Sequence, residues 1–173
     1  MKIGLIVEGD SDKLFFEKYF KPKLKKDIIV VSSSSKKNGC KILNKQKVHK
    51  DIQALLKRKC EQVYVLVDLD TQCTQGQQFT DYLVLKKWYK NKIDFSKLST
   101  TSIIVVIKEI ESWMLSAWEN SNNKSKEDLI RKFNTKKKLT EEDIVKRFLS
   151  SKKDINPKNN QSLYYFLKQL ELI

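Results

Sequence analysis

The stretch of sequence that decides the fold is residues 3–12, which read IGLIVEGDSD. Its first five residues form a short, unbroken apolar run, which is typical of a strand buried on both faces of a parallel sheet. Glu8 and Gly9 follow at the point where such a strand ends. The stretch therefore predicts a buried strand whose carboxyl end carries an acidic residue.

A helix is predicted directly after this strand, from Asp12 to about Phe20. Asp10 and Ser11 are residue types that cap helix N-termini, and apolar side chains recur along the segment at helical spacing. We expect Pro22 to end the helix, because proline lacks the backbone N–H that a helix interior requires.

The same alternation of strand and crossover continues along the chain. Short apolar runs at residues 28–31, 63–67 and 103–107 predict three further strands, and residues 40–59 and 76–92 have helical character. Strands that alternate with helices are typical of an α/β fold. We expect a mostly parallel sheet of about four strands, flanked by helices.

The composition changes after the fourth predicted strand. Residues 119–173 are rich in Asn, Ser and Lys, with helical stretches at 126–133, 141–149 and 163–172. We therefore predict two parts: residues 1–118 form the α/β domain that carries the site, and the remainder forms a basic helical extension packed on that domain.

The charge balance indicates the class of partner. Lysine and arginine outnumber aspartate and glutamate by 35 to 21, which gives the chain a formal net charge of +14. A strongly basic protein attracts polyanions. We therefore expect DNA or RNA as the partner.

The cysteines and the hydropathy pattern indicate the compartment. Cys40, Cys60 and Cys73 form no paired motif, so neither a zinc knuckle nor a disulfide framework is predicted. We recognise no secretion signal and no apolar stretch of membrane-spanning length. The sequence therefore predicts a cytoplasmic protein with no membrane partner.

Carboxylates follow three of the predicted strands. Glu8 follows the first strand, Asp68 and Asp70 the third, and Glu111 the fourth. Parallel strands end at one edge of a sheet, where ligands bind in α/β proteins. Clustered carboxylates repel one another unless a cation neutralises them, and hard oxygen ligands suit Mg²⁺ or Mn²⁺. The pattern predicts such a metal site.

A site of this kind favours phosphodiester chemistry. One or two divalent ions can polarise a phosphoryl oxygen, activate the attacking group and stabilise the leaving oxygen. Any one of these acidic residues alone is equally typical of a helix cap or a solvated loop. The combination, in a basic protein, favours cleavage of nucleic acid.

The motifs at these strand ends resemble a known domain. Residues 7–12, VEGDSD, and residues 67–70, VDLD, resemble the TOPRIM domain of topoisomerases, primases and overcoming-lysogenization-defect nucleases. Residues 110–115, IESWML, are similar to the third motif of small stand-alone TOPRIM-like proteins in a domain-of-unknown-function family. The resemblance covers roughly residues 1–118 and implies a TOPRIM-like, Rossmann-like sheet.

The resemblance also implies roles for the acidic residues. Glu8 would be the catalytic acid or base and a metal ligand, and Asp68 and Asp70 would hold Mg²⁺. Asp12 and Glu111 would complete the metal site. The implied activity is a metal-dependent nuclease, in phage defence or a mobile element, with a separate ATPase protein as a partner.

Several lysines are candidates for phosphate contacts. Lys108 precedes the third acidic motif and could stabilise developing phosphate charge, and Glu109 beside it is a reserve ligand. Two further sets of lysines could bind a phosphate backbone without recognising the base sequence. They are Lys36, Lys37 and Lys41 near a serine-rich loop, and Lys136, Lys137 and Lys138 in the extension. Each lysine is equally compatible with a solvated surface.

Two other functions fit parts of the sequence. Asp68 and Asp70 after a strand also resemble the motif of haloacid-dehalogenase-like phosphatases, although Gln72 stands where that family has Thr or Val. The non-enzymatic alternative is a basic module that binds nucleic acid or an effector, with acidic residues that serve only structure. We expect Trp113 to pack in the core rather than to stack on a base.

Overall fold

The structure is a computed structural model that describes residues 1–24, 26–33, 44–69, 81–92, 101–135 and 138–173. The chain divides into two compact units, Met1–Val105 and Val106–Ile173. The predicted division at residue 118 stays a prediction.

A four-stranded, all-parallel sheet confirms the predicted α/β fold. Its spatial order is β2-β1-β3-β4, so β1 has a neighbour on each side. In the register, Leu5 lies beside Val30 of β2 and Tyr64 of β3. The strands are β1 Lys2–Val7, β2 Asp27–Ser32, β3 Gln62–Asp68 and β4 Thr101–Val106.

The central strand β1 is buried because both faces of the sheet are covered. Residues 3–7 of β1 are all buried, as the unbroken apolar run predicts. Gly4 allows a helix to approach closely on one face: a Cβ added at Gly4 would lie 2.8 Å from Cδ1 of Leu55. A side chain at this position would therefore separate the helix from the sheet.

The helix after β1 begins earlier and ends later than the sequence predicts. Helix α1, Asp10–Phe15, has Gly9 as its N-cap, so the predicted capping role of Asp10 and Ser11 is wrong. A π-helical segment, Phe16–Phe20, and a short α2, Lys21–Lys23, continue the helix through Pro22. The π-helical segment widens the backbone before the proline, which relieves the clash that a proline ring makes with an earlier carbonyl.

The described residues of the first unit include two more helices. They are α3, Lys45–Lys57, and α4, Tyr82–Lys92. The predicted starts of both helices, at residues 40 and 76, lie outside the described residues. Side chains of α3 and α4 share one buried cluster with one face of the sheet, which includes Ile6, Val48, Ile52, Leu55, Val63, Val65, Val67, Leu85, Ile103 and Val105.

The second unit is helical after the last residue of β4, in agreement with the predicted helical extension. Trp113 is fully buried and stacks on Phe166 with ring centroids 5.1 Å apart, which confirms its predicted core position. In the described part of this unit, the α-helices are α5 Ile110–Leu115, α6 Lys126–Lys132, α7 Glu141–Ser150 and α8 Gln161–Gln169, and a 3-10 helix at Pro157–Asn159 precedes α8. Across the described ranges, no helix has the length and apolar character needed to cross a membrane.

Candidate functional site

The carboxyl ends of β1 and β3 bring two predicted site residues to adjacent positions. Ile6 lies beside Val65 in the register, so β1 and β3 end at the same edge of the sheet; Glu8 directly follows β1, and Asp68 is the last residue of β3. Neighbouring strands lie about 4.8 Å apart. Glu8 and Asp68 are both partly exposed, so a ligand can reach these carboxylates.

Asp68 lies on the face of the sheet opposite α3. Val63, Val65 and Val67 contact the cluster that includes α3, and side chains alternate along a strand, so Asp68 belongs to the other face. The β1–α1–β2 and β2–α3–β3 crossovers run in opposite directions across the sheet, so right-handed connections place α1 opposite α3. Asp68 therefore shares a face with α1, the helix that carries Asp12.

Asp12 has a structural role that the metal prediction does not require. Its side chain is 8% exposed, and Oδ2 accepts a 2.9 Å hydrogen bond from the backbone N–H of Gly9. This bond satisfies an amide at the start of α1. It also fixes the turn that follows Glu8.

A second polar cluster at the end of β2 was missed from the sequence. The fully buried Ser33 donates a 3.0 Å hydrogen bond from Oγ to Oδ2 of Asp51, and Nζ of Lys47 lies 2.5 Å from Oδ1 of the same carboxylate. The backbone N–H of Ser33 bonds to the carbonyl of Val7. The i,i+4 spacing of Lys47 and Asp51 is a detectable helical signal, but nothing in the sequence pairs either residue with Ser33.

Asp10 also contacts β2 rather than capping α1. Its Oδ1 accepts a 2.5 Å hydrogen bond from Oγ of Ser32. The carboxylates of Asp10, Asp12 and Asp51 therefore each accept a hydrogen bond near the carboxyl ends of β1 and β2.

In the second unit, the third acidic motif begins at an unusual backbone conformation. Lys108 is exposed and has a φ of 67°, in the left-handed region. Such a conformation is uncommon for a residue with a side chain and concentrates at functional sites. The sequence gives no signal for it, since glycine or asparagine is the residue type expected there.

The two glutamates of this motif differ in their surroundings. Glu109 is the N-cap residue of α5, and its Oε1 accepts a short hydrogen bond from the backbone N–H of Lys126. Glu111 lies in the first turn of α5 and is 6% exposed. A buried carboxylate requires compensation by hydrogen bonds or by positive charge.

Lys126 supplies positive charge to this acidic group. Its Nζ lies 3.2 Å from Oε1 of Glu141. Burial is the largest single influence and acts to lower the pKa of Lys126, whereas the hydrogen bond with Glu141 acts to raise it. The negative charges of Glu141, Glu111 and Glu109 act in the same direction, so the net pKa is raised above its usual value. Lys126 is therefore a cation at neutral pH.

The structure does not describe every predicted site residue. Asp70 lies outside the described residues, as do Lys36, Lys37, Lys41, Lys136 and Lys137; Lys138 is described and exposed. Within the described part of the chain, no group of three or more His, Cys, Asp or Glu side chains is arranged to hold a metal ion. The predicted five-carboxylate site stays a prediction.

Comparison with known proteins identifies the family. A family model described as a domain of unknown function, DUF4276, matches residues 7–171. The chain belongs to the DUF4276 family. The DUF4276 match includes all three acidic motifs and extends through α8, so the C-terminal helices are part of the family's common region. No curated protein and no solved structure matches the chain, and the TOPRIM relationship stays a prediction.

Proposed function

We propose that this DUF4276 protein is a divalent-metal-dependent nuclease with a TOPRIM-like acidic site. The observation that carries the proposal is the position of Glu8 and Asp68 at the ends of neighbouring parallel strands. Asp12 lies on the helix that follows Glu8, on the same face as Asp68. This edge is where α/β sheets bind ligands.

In this proposal the carboxylates have two different roles, metal binding and proton transfer. Asp68 and Asp70 would hold Mg²⁺ or Mn²⁺, with Asp12 as a further ligand. When bound, the metal polarises the phosphoryl oxygen and stabilises the leaving oxygen. Glu8 transfers the proton to or from the reacting oxygen, because it follows β1 directly and is accessible to solvent.

Positive charge in the first unit supports a nucleic-acid substrate. Residues 1–105 contain 21 lysines and arginines against 11 aspartates and glutamates, a net charge of +10 out of the total of +14. Contacts between lysines and phosphates give affinity without reading the base sequence. We therefore propose that the first unit, more than the basic C-terminal helices, attracts the phosphate backbone.

The proposed biological role depends on the TOPRIM resemblance alone. In that role the protein acts in phage defence or in a mobile element, together with a separate ATPase protein. The chain has no Gly-x-x-x-x-Gly-Lys phosphate loop, so ATP hydrolysis would belong to the partner.

A non-catalytic nucleic-acid-binding module is the second candidate. The surroundings of Asp12 favour this candidate, because the hydrogen bond from the N–H of Gly9 explains the burial of the Asp12 carboxylate without a metal ion. In that function, Glu8 and Asp68 would be solvated residues at strand ends, and the basic surface would act alone.

A cleavage assay separates the two functions. Labelled single- and double-stranded DNA and RNA are incubated with the full chain in Mg²⁺, in Mn²⁺ and in a chelator, and binding is measured in parallel. The nuclease proposal predicts cleavage that requires the metal and binding that persists in the chelator. Binding with no metal-dependent cleavage of any of the four substrates would favour the non-catalytic module.

A further inference from the structure

A polar network at the end of β2 holds the side chain of a lysine in α3. Oγ of Ser33, which is fully buried, donates to Oδ2 of Asp51 at 3.0 Å. Nζ of Lys47 lies 2.5 Å from Oδ1 and 2.6 Å from Oδ2 of the same carboxylate. Asp51 therefore joins a buried hydroxyl to an ammonium group, and these bonds fix the position of the Lys47 side chain.

The network lies at the carboxyl edge of the sheet, next to the end of β1. The backbone N–H of Ser33 bonds to the carbonyl of Val7 at 2.8 Å. Glu8 directly follows Val7, and Ser33 directly follows the last residue of β2. The network and Glu8 thus belong to the same unit and to the same edge of its sheet, which is the edge where α/β proteins bind ligands.

The direction of α3 brings Lys47 to this edge. An added Cβ at Gly4, near the start of β1, would lie 2.8 Å from Cδ1 of Leu55, which is close to the end of α3. Asp51, one turn earlier in the helix, bonds instead to Ser33 beyond the end of β2. The helix therefore runs antiparallel to the strands. Lys47 lies one further turn along the helix towards the carboxyl edge.

The ammonium group of Lys47 can bind an anion while it stays paired with Asp51. Among the described residues, the hydrogen-bond partners of Nζ are the two oxygens of Asp51. An ammonium group has three N–H donors, so one donor is available for a ligand. The Lys47 side chain is 40% exposed and the Asp51 side chain is 12% exposed. A ligand from solvent therefore meets the cation before the carboxylate.

We infer that Lys47 is a phosphate-contact residue of the proposed nuclease. This inference rests on the proposed function, which supplies a nucleic-acid substrate. Each phosphodiester carries one negative charge on its non-bridging oxygens, and a lysine ammonium binds such oxygens as a point charge. The contact holds one backbone phosphate at the edge that carries Glu8 and does not recognise the base.

Stabilisation of α3 alone does not explain the network. In a helical i,i+4 ion pair, the more favourable order has the acidic residue first, whereas here Lys47 precedes Asp51. Exposed pairs of this kind also contribute little to stability. The bond from Ser33 ties the carboxylate to the end of β2, which an ion pair within the helix does not require. The tie fixes the cation relative to the sheet edge.

Lys57 provides a matched control at the other end of the same helix. Lys57 is exposed, and the chain soon after it reaches the amino edge of the sheet, where the N–H of Glu61 bonds to the carbonyl of Lys2 at 2.8 Å. Lys47→Gln and Lys57→Gln therefore remove one positive charge from opposite ends of α3. Glutamine at position 47 can still donate to Asp51, so we expect this variant to fold.

The test measures the affinity of the full chain for labelled duplex DNA, single-stranded DNA and single-stranded RNA in a chelator, over a range of salt concentrations. Loss of one phosphate contact reduces the slope of log affinity against log salt by about 0.9 for a duplex and about 0.7 for a single strand. Lys47→Gln should show this reduction on several unrelated sequences. Lys57→Gln should keep the slope of the unmodified chain, as should Lys47→Arg, which retains the cation.

Two results would overturn the inference. One is a slope for Lys47→Gln equal to that of the unmodified chain, and the other is an equal reduction in Lys57→Gln, which would show a general charge effect. Either result, in a chain that binds nucleic acid, removes Lys47 alone and leaves the proposed function standing. If the unmodified chain binds none of the three nucleic acids, the proposed function fails, and the role of Lys47 fails with it.

Discussion

Oδ2 of Asp12 accepts a hydrogen bond from the backbone N–H of Gly9, three residues earlier, at 2.9 Å. The same carboxylate is predicted to bind the metal ion. A carboxylate has two oxygens and can accept several bonds, so one oxygen can hold the turn while the other faces a cation. The two roles can be separated by substitution.

Replacing Asp12 by Asn and by Ala should give different results. Asn keeps an oxygen that can accept from Gly9, so Asp12→Asn should preserve stability and lose metal-dependent cleavage. Asp12→Ala should also lower the free energy of unfolding by about 1 kcal/mol, because the amide loses its partner. Urea denaturation and the cleavage assay check this pair. Full cleavage by Asp12→Asn would remove Asp12 from the metal site.

Two glycines near the sheet should respond differently to alanine. Gly9 has φ −118° and ψ 170°, and an added Cβ would lie 3.4 Å from Oγ of Ser11, so the Cβ fits sterically; Gly9→Ala should lower stability by about 1 kcal/mol or less, because alanine is a poorer N-cap residue than glycine. In the proposed site it should still reduce cleavage, because the Cβ narrows the approach of a phosphate to the backbone.

Gly4→Ala is the matched control for that substitution. The new Cβ would lie 2.8 Å from Cδ1 of Leu55, so overpacking should cost about 1–3 kcal/mol of stability. Melting temperatures and cleavage rates compare the two variants. A Gly9→Ala variant that is stable and fully active would show that substrate does not approach this turn.

Much of the fold could be predicted from the sequence because buried parallel strands have a simple pattern. Residues 63–67 form one unbroken apolar run, and all five are buried within β3. The continuation of the helix through Pro22 could not be predicted, because a π-helical segment is a local backbone adjustment without a sequence signal. Likewise, Asp10 was predicted to cap α1, but its partner Ser32 is 22 residues away.

The candidate site could be predicted only in part. The unbroken apolar runs predict where β1 and β3 end, and the observed strand order makes these two strands neighbours, so Glu8 and Asp68 lie at the same edge of the sheet. The contacts of Ser33 with Asp51 depend on tertiary packing across 18 residues. The conformation before Lys108 also depends on tertiary structure: Oγ of Ser112 in α5 donates to the carbonyl of Ile107, and Oγ of Ser162 in α8 accepts from its N–H.

Hydrogen bonds at the start of α7 should make the free energy of unfolding depend on pH in the acidic range. Oγ1 and the backbone N–H of Thr140 both donate to Oδ2 of Asp143. These two hydrogen bonds, of which the one from the side chain has the larger effect, lower the pKa of Asp143 from its usual value of 3.8. Because the pKa is lower in the folded state, the hydrogen bonds stabilise the folded protein fully above about pH 3.8. This stabilisation is lost as the pH falls through the pKa of the folded state.

Thr140→Ala should therefore destabilise the protein at pH 7 and have a smaller effect in acid. It should also raise the pKa of Asp143 towards its usual value, which an NMR titration of the carboxyl group measures. Ser150→Ala is the control, because Ser150 donates to the carbonyl of Lys146 at the other end of α7 and involves no carboxylate. A Thr140→Ala effect that does not change with pH would contradict the assignment.

Binding to nucleic acid should weaken steeply with salt. The net charge is +14, and lysine–phosphate contacts release counterions, so the logarithm of affinity should fall linearly with the logarithm of salt concentration. Fluorescence anisotropy with several unrelated sequences measures the slope. Salt-insensitive affinity, or tight binding to a single short sequence, would contradict recognition through the backbone.

The central claim is that Asp68 and Asp70 hold a catalytic metal ion. Asn keeps the shape of each side chain but removes the charge that holds the cation. Without metal, stability should be equal or higher, because repulsion among the carboxylates is relieved. Glu8→Gln should also be inactive while retaining metal binding, if Glu8 mainly transfers a proton.

Asp27→Asn is the control for these variants. Asp27 begins β2 at the opposite edge of the same sheet and pairs with Lys2 at 3.7 Å on the surface. Surface pairs contribute little to stability, so this variant should keep its stability, its Mn²⁺ affinity and its cleavage rate.

The most direct measurement is the rate of Mg²⁺-dependent cleavage by Asp68→Asn, with Mn²⁺ affinity and melting temperature determined on the same preparation. We predict a folded protein of unchanged or higher melting temperature that binds Mn²⁺ weakly and does not cleave. A folded Asp68→Asn variant that cleaves at the rate of the unmodified chain would contradict the proposed mechanism.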